Sequence, residues 1–209
     1  MERHKKKVWI WAVGVIVIPI VLVVGAVESS ISISGEMRWK RVALLVAEGV
    51  NDFEVVYPKM RFEAVGAVVD LVAITPGAKT SSHGLISLDF SSPPDSASML
   101  AYDALILPDG TGRLASDTTL RWWVKKLLSK QRVVAAMGDG VSIMAHAGVL
   151  QGVHATGPRR VHDDLEIGGA SIQEAPVVVS ANRITSTAVA DLVWLVPAVI
   201  DRLKQVSGG

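Results

Sequence analysis

The chain has 209 residues, of which half are hydrophobic, and its formal net charge is +1 at neutral pH. So small a net charge gives no field that would recruit nucleic acid, and the absence of cysteine excludes disulfides, thiolate nucleophiles and cysteine-bound metals. The length suits one domain of about 150–170 residues with a further segment.

The first segment of the chain predicts a membrane anchor. A basic flank at residues 1–7 precedes residues 8–27, which carry no charge and would span roughly 30 Å as a helix, the thickness of a bilayer's hydrocarbon. Trp9 and Trp11 lie at one end, where tryptophan favours the membrane interface, and Gly14 would let another helix approach closely. A cleaved signal peptide is the alternative, but the apolar run is longer than such peptides need.

The distribution of positive charge predicts the orientation of this anchor. Basic residues crowd the flank before residues 8–27, whereas the first one behind them is Arg38. The positive-inside rule then leaves the N-terminus in the cytoplasm and the domain on the outer side of a cell membrane. Residues 28–39 are polar and serine-rich, as expected for a linker between the anchor and a domain at residues 40–206.

Strand and helix patterns alternate through residues 40–206. Apolar runs predict strands at "RVALLVA", "VVDLVAITP", "DALILPDG", "RVVAAM" and "ITSTAV", and helical spacing predicts helices at "FEVVYPKMRFEAVGA", "LRWWVKKLLSK" and "ADLVWLVPAVIDRLKQV". "DFSSPPDSAS" is expected to be a surface loop. This alternation predicts an α/β fold with a mostly parallel sheet covered on both faces. Ligands in such folds bind at the carboxyl ends of the strands, where Glu54, Asp109 and Gly138 fall.

One of these strand ends has the pattern of a nucleophile elbow. "VVAAMGDGVSI" predicts a buried strand, a sharp turn at Gly138 and a helix behind it. Such a turn exposes one side chain above a helix N-terminus, yet the residue at its tip is glycine. Glycine tolerates the strained backbone of this turn but offers no reactive atom.

Several segments in order resemble the PfpI-type protease family. "VALLVAEGVNDFEVVYP" is similar to the family's first strand and glutamate-bearing turn, "SSHG" to its hairpin, and "YDALILPDG" to its "FDALVLPGG". "HDDLEIGGASIQEAPVVVSANRITST" is similar to the segment that leads to its last strand. The resemblance covers nearly all of residues 40–206 and implies a flavodoxin-like, three-layer sandwich.

The same resemblance implies a reactive cysteine followed by histidine on the elbow. Here Gly138 and Asp139 stand at those positions, Thr187 replaces an arginine, and Asn51 replaces one of two acidic residues, of which Glu54 remains. A second carboxylate beside Glu54 would raise a carboxyl pKa instead of lowering that of a thiol. The expected site is therefore a degenerate one without catalytic residues, and the chain is expected to be a pseudoenzyme.

The remaining polar candidates give no second site. Asp139 and Glu54 could form an acid–base or metal-binding pair, but two polar residues left in a solvated pocket is the simpler interpretation. His146, His154 and His162 are eight residues apart, which matches no zinc pattern. We therefore predict no metal and no cofactor, and we expect His83 to be a hairpin residue and the arginine pair at 159–160 a solvated loop.

Trp122 and Trp123 point about 100° apart on a predicted helix, so one can be buried while the other contacts a partner. With Trp9, Trp11 and Gly14, they are the candidate interaction residues.

The sequence accordingly favours a non-catalytic, membrane-anchored accessory subunit. Its expected partners are the lipid bilayer, other membrane protein subunits and a possible second copy, with no nucleic acid. The alternative is a divergent hydrolase or deglycase of the same family, or a small-molecule-binding protein, tethered to the membrane.

Overall fold

The computed structural model describes residues 37–206. The predicted anchor at residues 8–27 lies outside this range, as do Trp9, Trp11 and Gly14. Between residues 37 and 206, no helix combines the length and the apolar character needed to cross a bilayer.

Six strands form the central sheet, in the order β2-β1-β5-β6-β10-β9. These are β1 (Arg41–Leu45), β2 (Val68–Val72), β5 (Ala104–Leu107), β6 (Val133–Met137), β9 (Val177–Ser180) and β10 (Arg183–Ser186). All neighbouring pairs are parallel except β9 and β10, which pair antiparallel at the edge. The predicted parallel sheet is confirmed, and β9 is the strand that the sequence pattern did not indicate.

Helices cover both faces of this sheet. The helices are α1 (Asp52–Ala64), α2 (Ser96–Met99), α3 (Thr118–Ser129), α4 (Val141–His146), α5 (His162–Ile167) and α6 (Leu192–Gln205). Alternate residues of β1 face opposite sides, so that Val42 packs with α1 and α6 while Ala43 packs with α3, α4 and α5. The chain is thus the three-layer, flavodoxin-like sandwich that the resemblance implies.

Two small sheets flank the carboxyl-terminal edge. Strands β3 (Gly77–Thr80) and β4 (Ser87–Phe90) form an antiparallel hairpin, and β7 (His154–Ala155) pairs parallel with β8 (Ser171–Ile172). Residues 89–98, predicted to be a surface loop, supply the end of β4 and the start of α2. The prediction of a loop was wrong at both ends of this segment. It rested on serine and proline content, which does not show whether neighbouring segments can pair as strands or form a helical turn.

The tandem tryptophans of α3 divide as the helical geometry requires. Trp123 is fully buried in the core, and Trp122 is partly buried against the same cluster. Trp123 is therefore unavailable to a partner, which corrects its place among the candidate interaction residues.

Candidate functional site

Three loops converge where β1, β5 and β6 end. Glu54 lies in the first turn of α1, Asp109 follows β5, and Gly138 follows β6. Because these strands are adjacent and parallel, their carboxyl ends meet at one edge of the sheet. The sequence prediction that these three residues share an edge is confirmed.

The elbow after β6 is occupied by a side chain from the neighbouring loop. Gly138 has φ +54°, a left-handed conformation that favours glycine. A Cβ atom added at Gly138 would overlap the carboxyl group of Asp109. The space above the turn is therefore filled by the Asp109 carboxyl group, which reaches it from the end of β5.

Asp109 is held through one of its two carboxylate oxygens. Its Oδ1 accepts the backbone N–H of Asp139 at 2.8 Å and pairs with the guanidinium of Arg160. Its Oδ2 has no hydrogen bond within the described part of the chain. The Asp109 side chain is 30% exposed and that of Arg160 is 55% exposed, so the pair lies at the rim of the site.

Asp139 fixes the loop that carries Asp109. Its Oδ1 accepts the N–H of Gly110 at 2.7 Å and that of Gly112 at 2.9 Å. Burial raises the pKa of Asp139, and the negative charge of Asp109 raises it further, against the stabilising N–H groups. The two aspartates therefore brace each other's loops: each accepts backbone N–H groups from the other's segment.

Glu54 lies beneath this pair and is itself buried. Its Oε2 accepts the N–H of Asp109 at 2.7 Å, and its other oxygen has no hydrogen bond among residues 37–206. Burial raises the pKa of Glu54 to about 7, and the negative charges of Asp109 and Asp139 add to that effect. The predicted direction of the shift is confirmed, and its main cause is desolvation.

The other two expected site positions have structural contacts. Asn51 is the N-cap of α1, where its side chain accepts the N–H of Phe53 at 3.0 Å. Thr187 donates its hydroxyl to Asp191 at 2.6 Å, at the start of the last helical segment. Neither side chain has a hydrogen bond to Glu54, Asp109 or Asp139.

Arg159 and Arg160 are exposed, as expected, but Arg160 also has a partner that was not predicted. Its guanidinium pairs with Asp109, which lies 51 residues earlier in the sequence. Among residues 37–206, it is the only cationic group that forms a hydrogen bond with the side chain of Glu54, Asp109 or Asp139. No local sequence pattern predicts this pairing, since two consecutive arginines occur in many exposed turns.

The three histidines expected to be scattered each have a different partner. His146 faces Asp164 at 3.2 Å, His154 faces Gln173 at 3.2 Å, and His162 faces the carbonyl of Gly157 at 3.1 Å. Within residues 37–206, no group of three metal-ligating side chains converges.

Two open cavities lie near the sheet. The one of about 320 Å³ is lined in part by Glu48, Lys79 and Arg113. The larger, of about 570 Å³, lies at the β2 edge around Arg41, Asp70 and Tyr102, away from Glu54. Glu54, Asp109 and Asp139 line neither cavity, and the smaller one is connected to their site through the segment that carries Gly112 and Arg113.

Asp52 is a buried residue that sequence reasoning missed. Its carboxylate accepts the N–H of His83 at 2.8 Å, the N–H of Leu85 at 2.9 Å and a bond from the Ser81 hydroxyl, and it contacts His83 Nδ1 at 2.9 Å. Burial opposes its ionisation, but these hydrogen bonds outweigh burial and hold its pKa well below the ordinary value. Asp52 thus ties α1 to the β3–β4 hairpin, and His83 is a hairpin residue, as expected.

Replacing Asp52 by asparagine is expected to loosen this hairpin. The carboxylate now accepts hydrogen bonds from N–H and O–H groups on both of its oxygens. In asparagine one oxygen is replaced by an NH₂ group, which cannot accept them, so some of these donors are left unpaired. Hydrogen exchange should therefore accelerate at the amides of His83 and Leu85. Asp117→Asn is the matched control, because Asp117 caps α3 and asparagine caps equally well. Unchanged exchange at both hairpin amides in Asp52→Asn would contradict this role.

The site can be compared with known proteins. Residues 40–202 match the DJ-1/PfpI family. A deglycase of Thermococcus kodakarensis is 31% identical over 161 residues, which cover 74% of this chain and 95% of the relative. A deglycase of Pyrococcus horikoshii is 30% identical over 159 residues, with the same coverage of each chain.

Solved structures agree on the fold. A ThiJ/PfpI domain protein from Brachyspira murdochii superposes with a TM-score of 0.73 at 23% identity, covering 80% of this chain and 98% of that one. DJ-1 from Schizosaccharomyces pombe superposes with a TM-score of 0.66 at 20% identity, covering 80% and 96%. At these identities the likeness concerns the fold alone.

These comparisons overturn two expectations. The chain was expected to be a pseudoenzyme, but relatives at 30% and 31% identity over nearly their whole length are named deglycases, which are enzymes. It was also expected to be a single-pass membrane protein with its domain outside, but those relatives align with this chain over 95% of their own length, and the family match begins only at residue 40. Both predictions were wrong. The first rested on the residues that stand at positions 51, 138, 139 and 187 in place of the family's site residues, and the second on the apolar run at residues 8–27 and the basic flank before it.

Proposed function

The chain belongs to the DJ-1/PfpI family, and from that premise we propose that it is a divergent deglycase that uses carboxylates where a thiolate would be expected. The chain contains no cysteine, so no thiolate chemistry is open to it. The substrate class that we propose is an amine that carries the adduct of a small dicarbonyl compound, since the named activity of the relatives is deglycation.

The observation that carries this proposal is the protonation of Glu54. A buried carboxyl group whose pKa is about 7 can take a proton and return it at neutral pH, which is what a general acid–base catalyst requires. Its free oxygen is not committed to any hydrogen bond among the described residues, whereas Oε2 is fixed by Asp109. Glu54 is therefore oriented through one oxygen, while the other is free of hydrogen bonds within residues 37–206.

The proton transfer suits a dicarbonyl adduct. In such an adduct the carbon bonded to nitrogen carries a hydroxyl group and a hydrogen atom, and its neighbour is a carbonyl carbon. Glu54 as a carboxylate removes the hydrogen as a proton, and the neutral acid returns it to the neighbouring carbon. The product is the hydroxyacyl amide of the same amine, an isomer whose hydrolysis frees the amine.

Charge and space near Glu54 support a small polar substrate. Arg160 places a cation at the rim, where it can stabilise the oxyanion that develops during the proton transfer. The cavity of about 320 Å³, whose wall includes Lys79 and Arg113, has the size of a small-molecule site.

The experiment is a direct assay of deglycation. The purified chain is incubated with N-acetyl-arginine or N-acetyl-lysine that has been modified by methylglyoxal, and free amine and lactate are measured by NMR. We expect both products, and we expect iodoacetamide pretreatment to leave the rate unchanged because there is no thiol to block. Absence of both products at high enzyme concentration would refute the proposed function.

The pH profile follows from the protonation state of Glu54. The group must be ionised to remove the first proton, and its pKa is about 7. We therefore expect kcat/KM to rise with pH through about 7 and to level off above it. Stopped assays in constant ionic strength buffers would measure the profile. A value of kcat/KM that does not change between about pH 5 and about pH 8 would exclude Glu54 as the base.

A further inference from the structure

We propose that Asp109 is the nucleophile of this site. The inference rests on the proposed function, because it assigns the residue that cleaves the hydroxyacyl amide once Glu54 has formed it. The geometry that carries it is the placement of the Asp109 carboxyl group over the glycine elbow.

The elbow supplies the position. A strand that turns sharply into a helix presents whatever lies above the turn to the edge where ligands bind. Above the turn at Gly138 lies the carboxyl group of Asp109, a residue outside the turn. This carboxyl group fills the volume that a Cβ atom at 138 would need. The backbone N–H of Asp139, on the turn, donates to Asp109 Oδ1 at 2.8 Å.

The carboxylate is fixed by one oxygen and open at the other. Oδ1 is held by Asp139 N–H and by Arg160, while Oδ2 has no hydrogen bond in the part of the chain that the structure describes. The side chain is partly exposed, so Oδ2 can meet a substrate. A nucleophile needs this combination of fixed direction and an uncommitted lone pair.

The loop behind Asp109 is rigidly positioned. Glu54 accepts the N–H of Asp109 itself, and Asp139 accepts the N–H groups of Gly110 and Gly112. Gly110 has φ +85°, and a Cβ atom there would overlap the carbonyl oxygen of Gly49. The chain can adopt this close turn only with glycine, and the turn aims Asp109 at the elbow.

The step balances with water as the only co-reactant. Asp109 Oδ2 attacks the carbonyl carbon of the amide and forms a C–O bond as the C–N bond breaks, and the electron pair of that bond stays on nitrogen. Glu54, which has taken up a proton from solvent, gives that proton to the leaving amine. Water then attacks the Asp109 Cγ atom of the resulting mixed anhydride, and Glu54 as a carboxylate takes the proton of that water. The hydroxy acid leaves with the former Oδ2 atom, and the Asp109 carboxylate keeps the oxygen of the water.

Isotope transfer tests the covalent step. The wild-type chain, in excess over N-lactoyl-4-nitroanilide, is allowed a single turnover in water enriched in oxygen-18. We expect the first lactate to be free of label from the solvent and the label to appear in the peptide that contains Asp109, because the transferred oxygen comes from the carboxylate. Labelled lactate from an unlabelled peptide would overturn the role of Asp109 while leaving the proposed function intact.

A second experiment tests the nucleophilicity of Asp109 even if no substrate is turned over. The chain is treated with glycidol, whose epoxide ring a nucleophilic carboxylate opens to form an ester, and the adduct is mapped by peptide mass spectrometry. We expect one adduct on Asp109, lost in Asp109→Asn and retained in Asp163→Asn, a matched change at an exposed carboxylate of α5. Adducts spread over surface carboxylates without preference for Asp109 would overturn the inference, with or without deglycase activity.

Discussion

Replacing Glu54 by glutamine is expected to lower kcat/KM for the dicarbonyl adduct by about a hundred- to ten-thousand-fold, the range that a positioned acid–base group supplies. Glutamine keeps the size of the side chain and an oxygen that can accept the N–H of Asp109, so the loop that carries Asp109 should stay in place. Only the exchangeable proton is lost. Steady-state kinetics of the purified variant above about pH 7 measure the effect.

The stability of the same variant separates a lost catalyst from a damaged fold. Glu54 has a pKa of about 7 in the folded chain against an ordinary value of 4.5, so the folded state binds its proton more tightly than the unfolded state. The free energy of unfolding therefore falls as pH rises between these values, by up to about 3 kcal/mol. Glu54→Gln removes this cost and should gain stability over the wild type as pH rises from about 5 to about 8.

The control for Glu54→Gln is Glu63→Gln. Glu63 lies on the same helix, is partly exposed and pairs with Lys59, far from the elbow in sequence. Its replacement should leave kcat/KM and the pH dependence of unfolding unchanged. A Glu54→Gln variant that is more stable at high pH yet fully active would show that Glu54 is buried without being the catalyst.

Replacing Gly138 by alanine is expected to destabilise the fold by about 3 kcal/mol or more. The left-handed backbone at φ +54° costs a non-glycine residue about 1–2 kcal/mol, and the new methyl group would also overlap the Asp109 carboxyl group. Chemical denaturation of the purified variant measures the loss. Gly148→Ala is the matched control, because Gly148 has φ +65° but open space around its Cβ position, so it reports the backbone cost alone.

A double variant tests whether Asp109 causes the part of the Gly138→Ala destabilisation that exceeds the backbone cost. In Asp109→Gly combined with Gly138→Ala, the overlap disappears while the backbone cost remains. We expect the two substitutions to couple by about 1–3 kcal/mol, with the double variant more stable than the sum of the single effects predicts. Additive effects, or a Gly138→Ala variant no less stable than Gly148→Ala, would mean that Asp109 moves aside at little cost.

The positions of the strands and of the elbow could be predicted because they follow from local patterns. The buried runs of β1, β5 and β6 and the glycine turn after β6 lie in continuous segments. Parallel pairing then brings their ends to one edge. The neighbourhood of Glu54, Asp109 and Gly138 followed from that reasoning alone, whereas the main cause of the raised Glu54 pKa is desolvation, which depends on the packing around the side chain.

The side chain that fills the space above the elbow could not be predicted in the same way. Asp109 and Gly138 are 29 residues apart, and no periodicity shows that one side chain fills the space left by the other. Arg160 reaches the site from a loop beyond α4 and is equally invisible to local patterns. One signal was present: relative to the PfpI-type pattern, a glycine becomes aspartate in "LPDG" while the elbow residue becomes glycine. One strand end gains a side chain and the adjacent strand end loses one. This pattern indicates that the new side chain occupies the space that the lost one left.

The shared volume above the elbow also restricts the order in which this site could have diverged. From a chain with glycine at 109 and a larger residue at 138, gaining Asp109 first would have forced two side chains into one space. Losing the side chain at 138 first leaves only a gap, which a fold tolerates more easily and which a later aspartate can fill. A path through an intermediate with glycine at both positions therefore avoids the overlap. For the same reason, a side chain restored at 138 while Asp109 remains is expected to cost stability.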